Sequence, residues 1–191
     1  MPAGNGFITY SPDTRHGNQT ASIYANTTIM ERFLLPEGNW QISEIGVYAY
    51  ANAGYTINLH LGIFTDDVVN GCPAVLVDGT DSGELTLNVA VITKLNHTFS
   101  VKPEITGAVG GTYYWICHMY DSSQARYDYI VGAPDISGYK STAGVVYPTW
   151  PTDTQWHTHS NWGSTETSGY AVYEPTSVGS KIMVGSMINI G

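Results

Sequence analysis

Short β-prone runs separated by Gly, Pro, Asn or Asp dominate this chain, and that pattern limits it to all-β folds. Two of the runs, "ISEIGVYAYA" and "YTINLHLGIF", alternate apolar and polar residues with a period of two, as half-buried strands do. Others of this kind are "TIMERFLLPEGNW", "PAVLVD", "GELTLNVAVI", "HTFSVKPEI", "TYYWICHMYD" and "GYAVYEP". Their spacing predicts an antiparallel β-sandwich with two packed sheets.

The run "TYYWICHMY" is apolar on both faces, which is expected of a central strand. The alternation in the other runs assigns one face of each strand to the interior. We predict that the inward-pointing residues are Ile45, Val47, Leu59, Leu61, Ile63, Leu85, Leu87, Trp115 and Cys117.

The length of 191 residues, with 42% hydrophobic content, suits one undivided β domain. Residues 1–28 carry weak periodicity, so we predict an N-terminal arm there and a single sandwich domain over residues 29–191. An arm with few core residues needs a partner surface to order it. We therefore expect residues 1–28, and residues 180–191 as a second candidate, to contact other chains.

The net charge of −9, with only seven lysines and arginines, provides no basic stripe, so nucleic acid is not an expected partner. No apolar run is long enough to cross a bilayer and no export signal is visible, so we expect no membrane insertion. Cys72 and Cys117 are not spaced for zinc. We expect two free thiols, with one disulfide as the alternative.

The segment "ERFLLPEGNWQISEIGVYAYANAGYTINLHLGIFTDDVVNGCPAVLVDGTDSGELTL" resembles a jelly-roll β-sandwich module of phage structural proteins and secreted bacterial surface proteins. The later stretches "GTYYWICHMYDSS", "YPTWP" and "GYAVY" extend the similarity over residues 30–174. The resemblance implies a jelly roll that serves as a ligand-binding, adhesive or virion part, usually without catalytic chemistry.

The loop after "LHLGIF" reads as a turn, because Asn70-Gly71 suits a positive φ and Pro73 restarts the extended chain. Asp66 and Asp67 offer calcium ligands as a weaker alternative, and no other cofactor is expected. The pair His157 and His159 is separated from Glu166 by six residues, more than the three or four of the cupin metal motif, so it matches that motif only loosely. An aromatic-polar loop explains those histidines better than a metal site does.

Tyr and Trp residues are scattered through the polar, glycine-rich second half of the chain, and this stretch is the candidate binding region. Trp and Tyr rings can stack on sugars while His and Asn side chains take hydroxyls, or the same rings can pack loops onto the sandwich or onto a neighbouring subunit. The candidate residues for a glycan or a partner protein are Tyr127, Tyr129, Tyr139, Tyr147, Trp150, Trp156, His157, His159, Asn161 and Trp162.

No nucleophile motif or phosphate-binding loop is present, so we expect no enzyme. The first hypothesis is a virion or filament structural or decoration protein at the virion surface, whose partners are copies of itself, other virion or surface proteins and, as a further candidate, cell-surface glycans. A chain that starts with Met and lacks an export signal favours this expectation. The alternative is an extracellular carbohydrate-binding module or adhesin domain.

Overall fold

The computed structural model describes residues 6–13, 19–22, 25–131, 139–141, 146–152, 156, 160–161 and 165–176. These residues form an all-β structure with two largely antiparallel sheets that enclose a common core, as in a β-sandwich. The strands are β1 (Gly6–Ile8), β2 (Gln19–Ser22), β3 (Thr27–Leu35), β4 (Gly38–Ala51), β5 (Ile57–Asp67), β6 (Cys72–Leu76), β7 (Leu85–Leu87), β8 (Thr93–Thr98), β9 (Glu104–Gly107), β10 (Thr112–Tyr120), β11 (Ala125–Val131), β12 (Tyr139–Ser141), β13 (Ser160–Asn161), β14 (Thr165–Thr167) and β15 (Tyr170–Pro175).

The first sheet, called sheet 1, is built around β4. Gly46 of β4 pairs with Tyr170 of β15 on one side and with Asn96 of β8 on the other. Strand β9 pairs with β4 on the same side as β8, and β11 pairs with β4 on the same side as β15. Strand β1 pairs in parallel with β15, and β2 and β14 pair with β11. Strand β8 is therefore an edge strand of sheet 1 in the described part of the chain.

The second sheet, called sheet 2, has β10 between β3 and β5. Strands β6 and β7 pair with β5 on one side, while β12 and then β13 extend the sheet beyond β3. The central position of β10 explains why its sequence is apolar on both faces, because both faces are covered from Tyr114 to Tyr120.

The core between the sheets follows the predicted period of two on β4 and β5. Ile45, Val47, Leu59, Leu61, Ile63 and Leu87 are buried in it, and Leu85 packs partly buried against it. The prediction was wrong for Trp115 and Cys117, which lie on the opposite face of β10. Tyr114, Ile116 and Tyr120 face the core instead. A strand with two apolar faces carries no polar residues that would show which face points inward.

The outer face of sheet 2 holds a second apolar cluster: Met30, Phe64, Cys72, Trp115, Cys117 and Trp156. Residues 146–152 with Trp156, called here the covering segment, lie over it. The Trp150 and Trp156 rings each meet the Phe64 ring edge to face, with centroids 5.1 Å apart. This part of the sheet is therefore buried by the chain itself.

The outer face of sheet 1 is covered in part by residues 8–13. Tyr48 and Tyr170 form a small cluster there with Ile8 packed against it. The Tyr48 hydroxyl donates to the carbonyl of Pro12 at 3.0 Å, and the Ser11 hydroxyl donates to Glu44 at 2.7 Å.

Part of the expected N-terminal arm belongs to sheet 1, since β1 pairs with β15 and β2 with β11. The Phe7 ring is buried, with its centroid 6.0 Å from that of Tyr114 and 6.4 Å from that of Tyr173. Strands of three and four residues are too short to show a sequence period, so this pairing left no signal. Contact of residues 1–28 with other chains stays a prediction, and residues 180–191 lie outside the described residues.

The turn predicted at Asn70-Gly71 is confirmed: Gly71 has φ +64°, and its N–H donates to the carbonyl of Asp67 at 2.8 Å. A search of the described residues for a helix long and apolar enough to span a membrane found none.

Candidate functional site

An open cleft of about 540 Å³ lies at the edge of the sandwich, between the β6–β7 connection and the β8–β9 connection. We call it the edge cleft. Its volume falls within the roughly 300–1,000 Å³ range of ligand pockets. It is lined by Asp78, Gly79, Asp81, His97, Phe99, Ser100, Val101, Pro103 and Glu104.

The edge cleft combines an apolar floor with an acidic rim. Phe99 is buried, and the ring of His97 meets it edge to face with centroids 4.7 Å apart. His97 pairs with Ile45, which faces the core, so His97 projects on the inner side of sheet 1. Three of the lining residues, Asp78, Asp81 and Glu104, carry carboxyl groups, and none of the nine is Lys or Arg. The site is therefore suited to a positively charged group.

Asp81 connects the edge cleft to the covering segment. One oxygen, Oδ1, accepts from the N–H of Gly83 at 2.8 Å and lies 3.1 Å from Nδ1 of His60. The other, Oδ2, accepts from Nε1 of Trp150 at 2.9 Å. The loop bond to Gly83 fixes the carboxylate, which in turn fixes the indole of Trp150 and the imidazole of His60.

Tyr147 and Trp150, like Tyr129, are candidate residues whose side chains are only partly buried. The Tyr147 hydroxyl donates to Glu84 at 3.2 Å, and its ring meets that of His60 edge to face at 5.3 Å. Partial burial, and next the charge of Glu84, raise the pKa of Tyr147. The rings are thus held against acidic side chains that sequence analysis did not associate with them.

Tyr127 and Trp156 serve as packing residues, because Tyr127 is buried in the core between the sheets and Trp156 in the outer cluster of sheet 2. Tyr129 packs partly buried against the core, 5.9 Å from the ring of Tyr127. A ring without exposed surface offers no face to a glycan that approaches from solvent. Tyr127 and Trp156 thus occupy buried packing positions, whereas the role of the partly exposed Tyr129 stays a prediction.

Five of the candidates carry no side-chain description. Tyr139 and Asn161 are placed by their backbones, since β12 pairs with both β3 and β13 and Tyr139 lies opposite Asn161. His157, His159 and Trp162 lie outside the described residues, so the hydroxyl-reading role expected of the two histidines stays a prediction.

A polar group lies inside the sandwich, among the apolar side chains of the core. Nδ1 of the buried His118 lies 2.9 Å from the Tyr120 hydroxyl, and the His118 ring meets that of Tyr127 edge to face at 5.6 Å. Burial lowers the pKa of His118 to about 3 and raises the pKa of Tyr120. Glu31 of β3 lies opposite Ile116, the residue two positions before His118, and it accepts from the N–H of Thr167 at 2.5 Å. These groups tie the sheets together beneath the surface.

Asp66 and Asp67 do not converge as calcium ligands would. Asp66 accepts from Nε1 of Trp115 at 2.8 Å and pairs with Arg32, whereas Asp67 accepts from the N–H groups of Val69 and Asn70. Within the described ranges, no three His, Cys, Asp or Glu side chains are grouped to hold a metal. Cys72 and Cys117 are both buried, and they form no disulfide.

The outer face of sheet 2 stays open at the end where β3 and β10 meet the β9–β10 turn. Leu34 and Tyr113 form a cross-strand pair there and are 39% and 44% exposed. Val68, 77% exposed, lines a groove of about 320 Å³ with Tyr113. We call Leu34, Val68 and Tyr113 the end patch. The Arg32 guanidinium lies 4.1 Å from the centroid of the Tyr113 ring and holds that ring in place.

Comparisons of the chain with protein-family models, with curated protein sequences and with solved structures found no match. The geometry of these sites therefore carries the functional argument alone.

Proposed function

We propose that this chain is a non-catalytic structural or decoration protein of a virion or filament, with a jelly-roll sandwich that assembles with copies of itself through the outer face of sheet 2. The end patch carries the proposal. The covering segment buries one part of that apolar face, while Leu34, Val68 and Tyr113 continue the face into solvent. Exposed apolar patches on soluble proteins commonly mark interaction sites.

The order of the strands supports a jelly roll. Strands β3, β4 and β5 alternate between the two sheets along the chain, and β10 enters sheet 2 between β3 and β5. Double-sheet jelly rolls cross between their sheets in this way. Such a sandwich presents flat faces and edges to its neighbours, which suits repetitive packing at a virion surface.

Measurement of mass tests the assembly. We expect wild-type protein to sediment above the 20.7 kDa of one chain, with a concentration dependence that reports association. The double variant Leu34→Lys/Tyr113→Lys places two charges in the end patch and should sediment as a monomer. Val91→Lys is the matched control, because Val91 is 68% exposed in the β7–β8 connection and lines neither this patch nor the edge cleft.

A monomeric wild type up to about 0.1 mM, a concentration at which contacts with micromolar dissociation constants are populated, contradicts self-assembly. If the wild type does associate and the double variant has the same mass, the end patch is not the surface through which the chains assemble. Circular dichroism of the double variant separates lost assembly from lost fold.

A second candidate function is glycan recognition, either at a virion surface or in an extracellular carbohydrate-binding module. The partly exposed Tyr147 and Trp150 beside Glu84 and Asp81 favour it, because such sites combine rings with hydroxyl-binding carboxylates. A glycan array probed with wild type and with Tyr147→Ala tests it. Binding that disappears in the variant, while the melting temperature is retained, supports recognition, and an array without any wild-type signal refutes it.

A further inference from the structure

We propose that β8 and the edge cleft together bind an extended basic peptide segment of a partner protein, which pairs with the free edge of β8 and places a Lys or Arg side chain in the edge cleft. This goes beyond self-assembly, because it uses a different surface and a partner of opposite charge.

The first step is the free backbone of β8. The N–H of Phe99 donates to the carbonyl of Ser43, so Phe99 and the residues alternating with it along β8 direct their backbone groups toward β4. The intervening residues Lys94, Asn96 and Thr98 direct theirs outward. Among the described strands, none pairs with that side of β8. Addition of a strand at such an edge is a recurring mode of peptide recognition.

The second step is where the side chains of an added strand would point. Directly opposite residues of neighbouring strands share a face of the sheet. His97 projects on the inner side and lines the edge cleft. A peptide residue opposite His97 would therefore direct its side chain into the edge cleft, next to the carboxyl groups of Asp78, Asp81 and Glu104.

The third step is the chemistry of the edge cleft. A Lys or Arg has an aliphatic stem, which can pack on Phe99 and Pro103, and a charged end, which can reach the acidic rim. Lys102, which lies between the lining residues Val101 and Pro103, pairs with Glu174 of β15 and is not among the lining residues. The described lining residues therefore supply no Lys or Arg of their own to this rim.

The fourth step excludes a second copy of the chain as the occupant. Edge-to-edge pairing of two β8 strands would bring two acidic clefts together on chains that each carry a net charge of −9. Like charges at close range oppose such a contact. A basic segment gains attraction at the same place.

Titration of ¹⁵N-labelled protein with a synthetic peptide tests the site. The probe is acetylated and amidated Ser-Thr-Val-Arg-Val-Thr-Ser, and its control carries Glu in place of Arg. We expect saturable shifts of the Asn96 and Thr98 amide signals with the Arg peptide, weakening with added NaCl, and no saturable shift with the Glu peptide.

Two pairs of variants separate backbone pairing from charge. Asn96→Pro removes an outward N–H without removing a bond to β4 and should abolish binding, whereas Asn96→Ala keeps that N–H and should retain it. Asp78→Asn/Glu104→Gln should weaken binding about tenfold. Glu37→Gln is the control, because it removes a carboxylate at an exposed position outside the edge cleft, and it should leave peptide binding unchanged.

Several results would overturn the proposal: no saturable shift with the Arg peptide at about 5 mM, equal binding of the Glu peptide, or binding that survives Asn96→Pro. Circular dichroism must show that Asn96→Pro is folded; if it is not, Asn96 replaced by N-methylalanine through semisynthesis makes the same test. Sedimentation of the wild type is a separate measurement, so failure of this site and failure of self-assembly are distinguishable.

Discussion

Nδ1 of His118 lies 2.9 Å from the hydroxyl of Tyr120, two residues along the same strand, and both side chains are fully buried between the sheets. The ring of Tyr127, on β11 of the opposite sheet, contacts the ring of His118. Glu31 of β3 lies opposite Ile116, two positions before His118 on β10. Because burial disfavours a charged imidazole, protonation of His118 should destabilise the sandwich.

The first prediction is that acid destabilises the fold through His118. Its pKa is about 3 in the folded state against about 6.5 in the unfolded chain, so the unfolded state binds more protons between these values. The free energy of unfolding should therefore fall as the pH drops below 6.5, by at most about 1.4 kcal/mol per pH unit. Urea unfolding between pH 5.0 and 7.5 measures this slope above the range where most carboxylates titrate.

The variant His118→Gln keeps a polar side chain but cannot take up a proton, so its slope over this pH range should be flatter than that of the wild type. His97→Gln, at the edge cleft, is the control for the loss of a histidine. Equal slopes for wild type and His118→Gln would mean that His118 does not titrate on unfolding in this range.

The sequence predicts strands well where one face is buried and one is not. Ile45 and Val47 of β4 and Leu59 and Leu61 of β5 were assigned correctly because polar residues alternate with them. On β10 both faces are apolar, so the pattern supported two opposite orientations, and the covering segment that buries Trp115 lies more than thirty residues further along the chain.

The candidate site shows the same limit. The rings of Tyr147 and Trp150 were recognisable from composition, but their partners Glu84 and Asp81 come from a connection about sixty-five residues away. Only the pairing of β5 with its neighbours brings these segments together. The Asp81-x-Gly83 turn was a local signal for a fixed carboxylate, yet nothing local indicates that His97 and Glu104 complete the cleft.

The second prediction concerns two tryptophans of the covering segment. Trp156→Ala removes a fully buried ring and should lower the free energy of unfolding by about 3 to 5 kcal/mol. Trp150→Phe keeps most of the packing but leaves Asp81 without the indole donor, and should cost about 1 kcal/mol. Urea unfolding of both variants measures the difference. A loss below 1 kcal/mol for Trp156→Ala would show that the covering segment contributes little to the fold.

The third prediction is that both thiols are protected in the native protein. Cys72 and Cys117 are buried and form no disulfide, and burial raises the pKa of the Cys117 thiol well above its usual value. Since the thiolate is the reactive form, Ellman's reagent should label neither residue at pH 8 without denaturant and both in 6 M guanidinium. Val101→Cys supplies an exposed thiol as the positive control. Rapid labelling of native wild type would contradict the burial of the outer cluster.

The fourth prediction distinguishes a strand from a free arm at the N-terminus. Phe7 is buried against Tyr114 and Tyr173, and β1 adds a parallel strand beside β15. Phe7→Ala should therefore reduce the free energy of unfolding by about 3 kcal/mol or more, whereas Tyr10→Ala, at a ring that is 53% exposed, should change it by less than about 0.5 kcal/mol. Removal of residues 1–25 should likewise lower the melting temperature, because it deletes β1 and β2 from sheet 1. A truncated chain that melts like the wild type, together with a neutral Phe7→Ala, would mean that this region is held by other chains rather than by its own sheet.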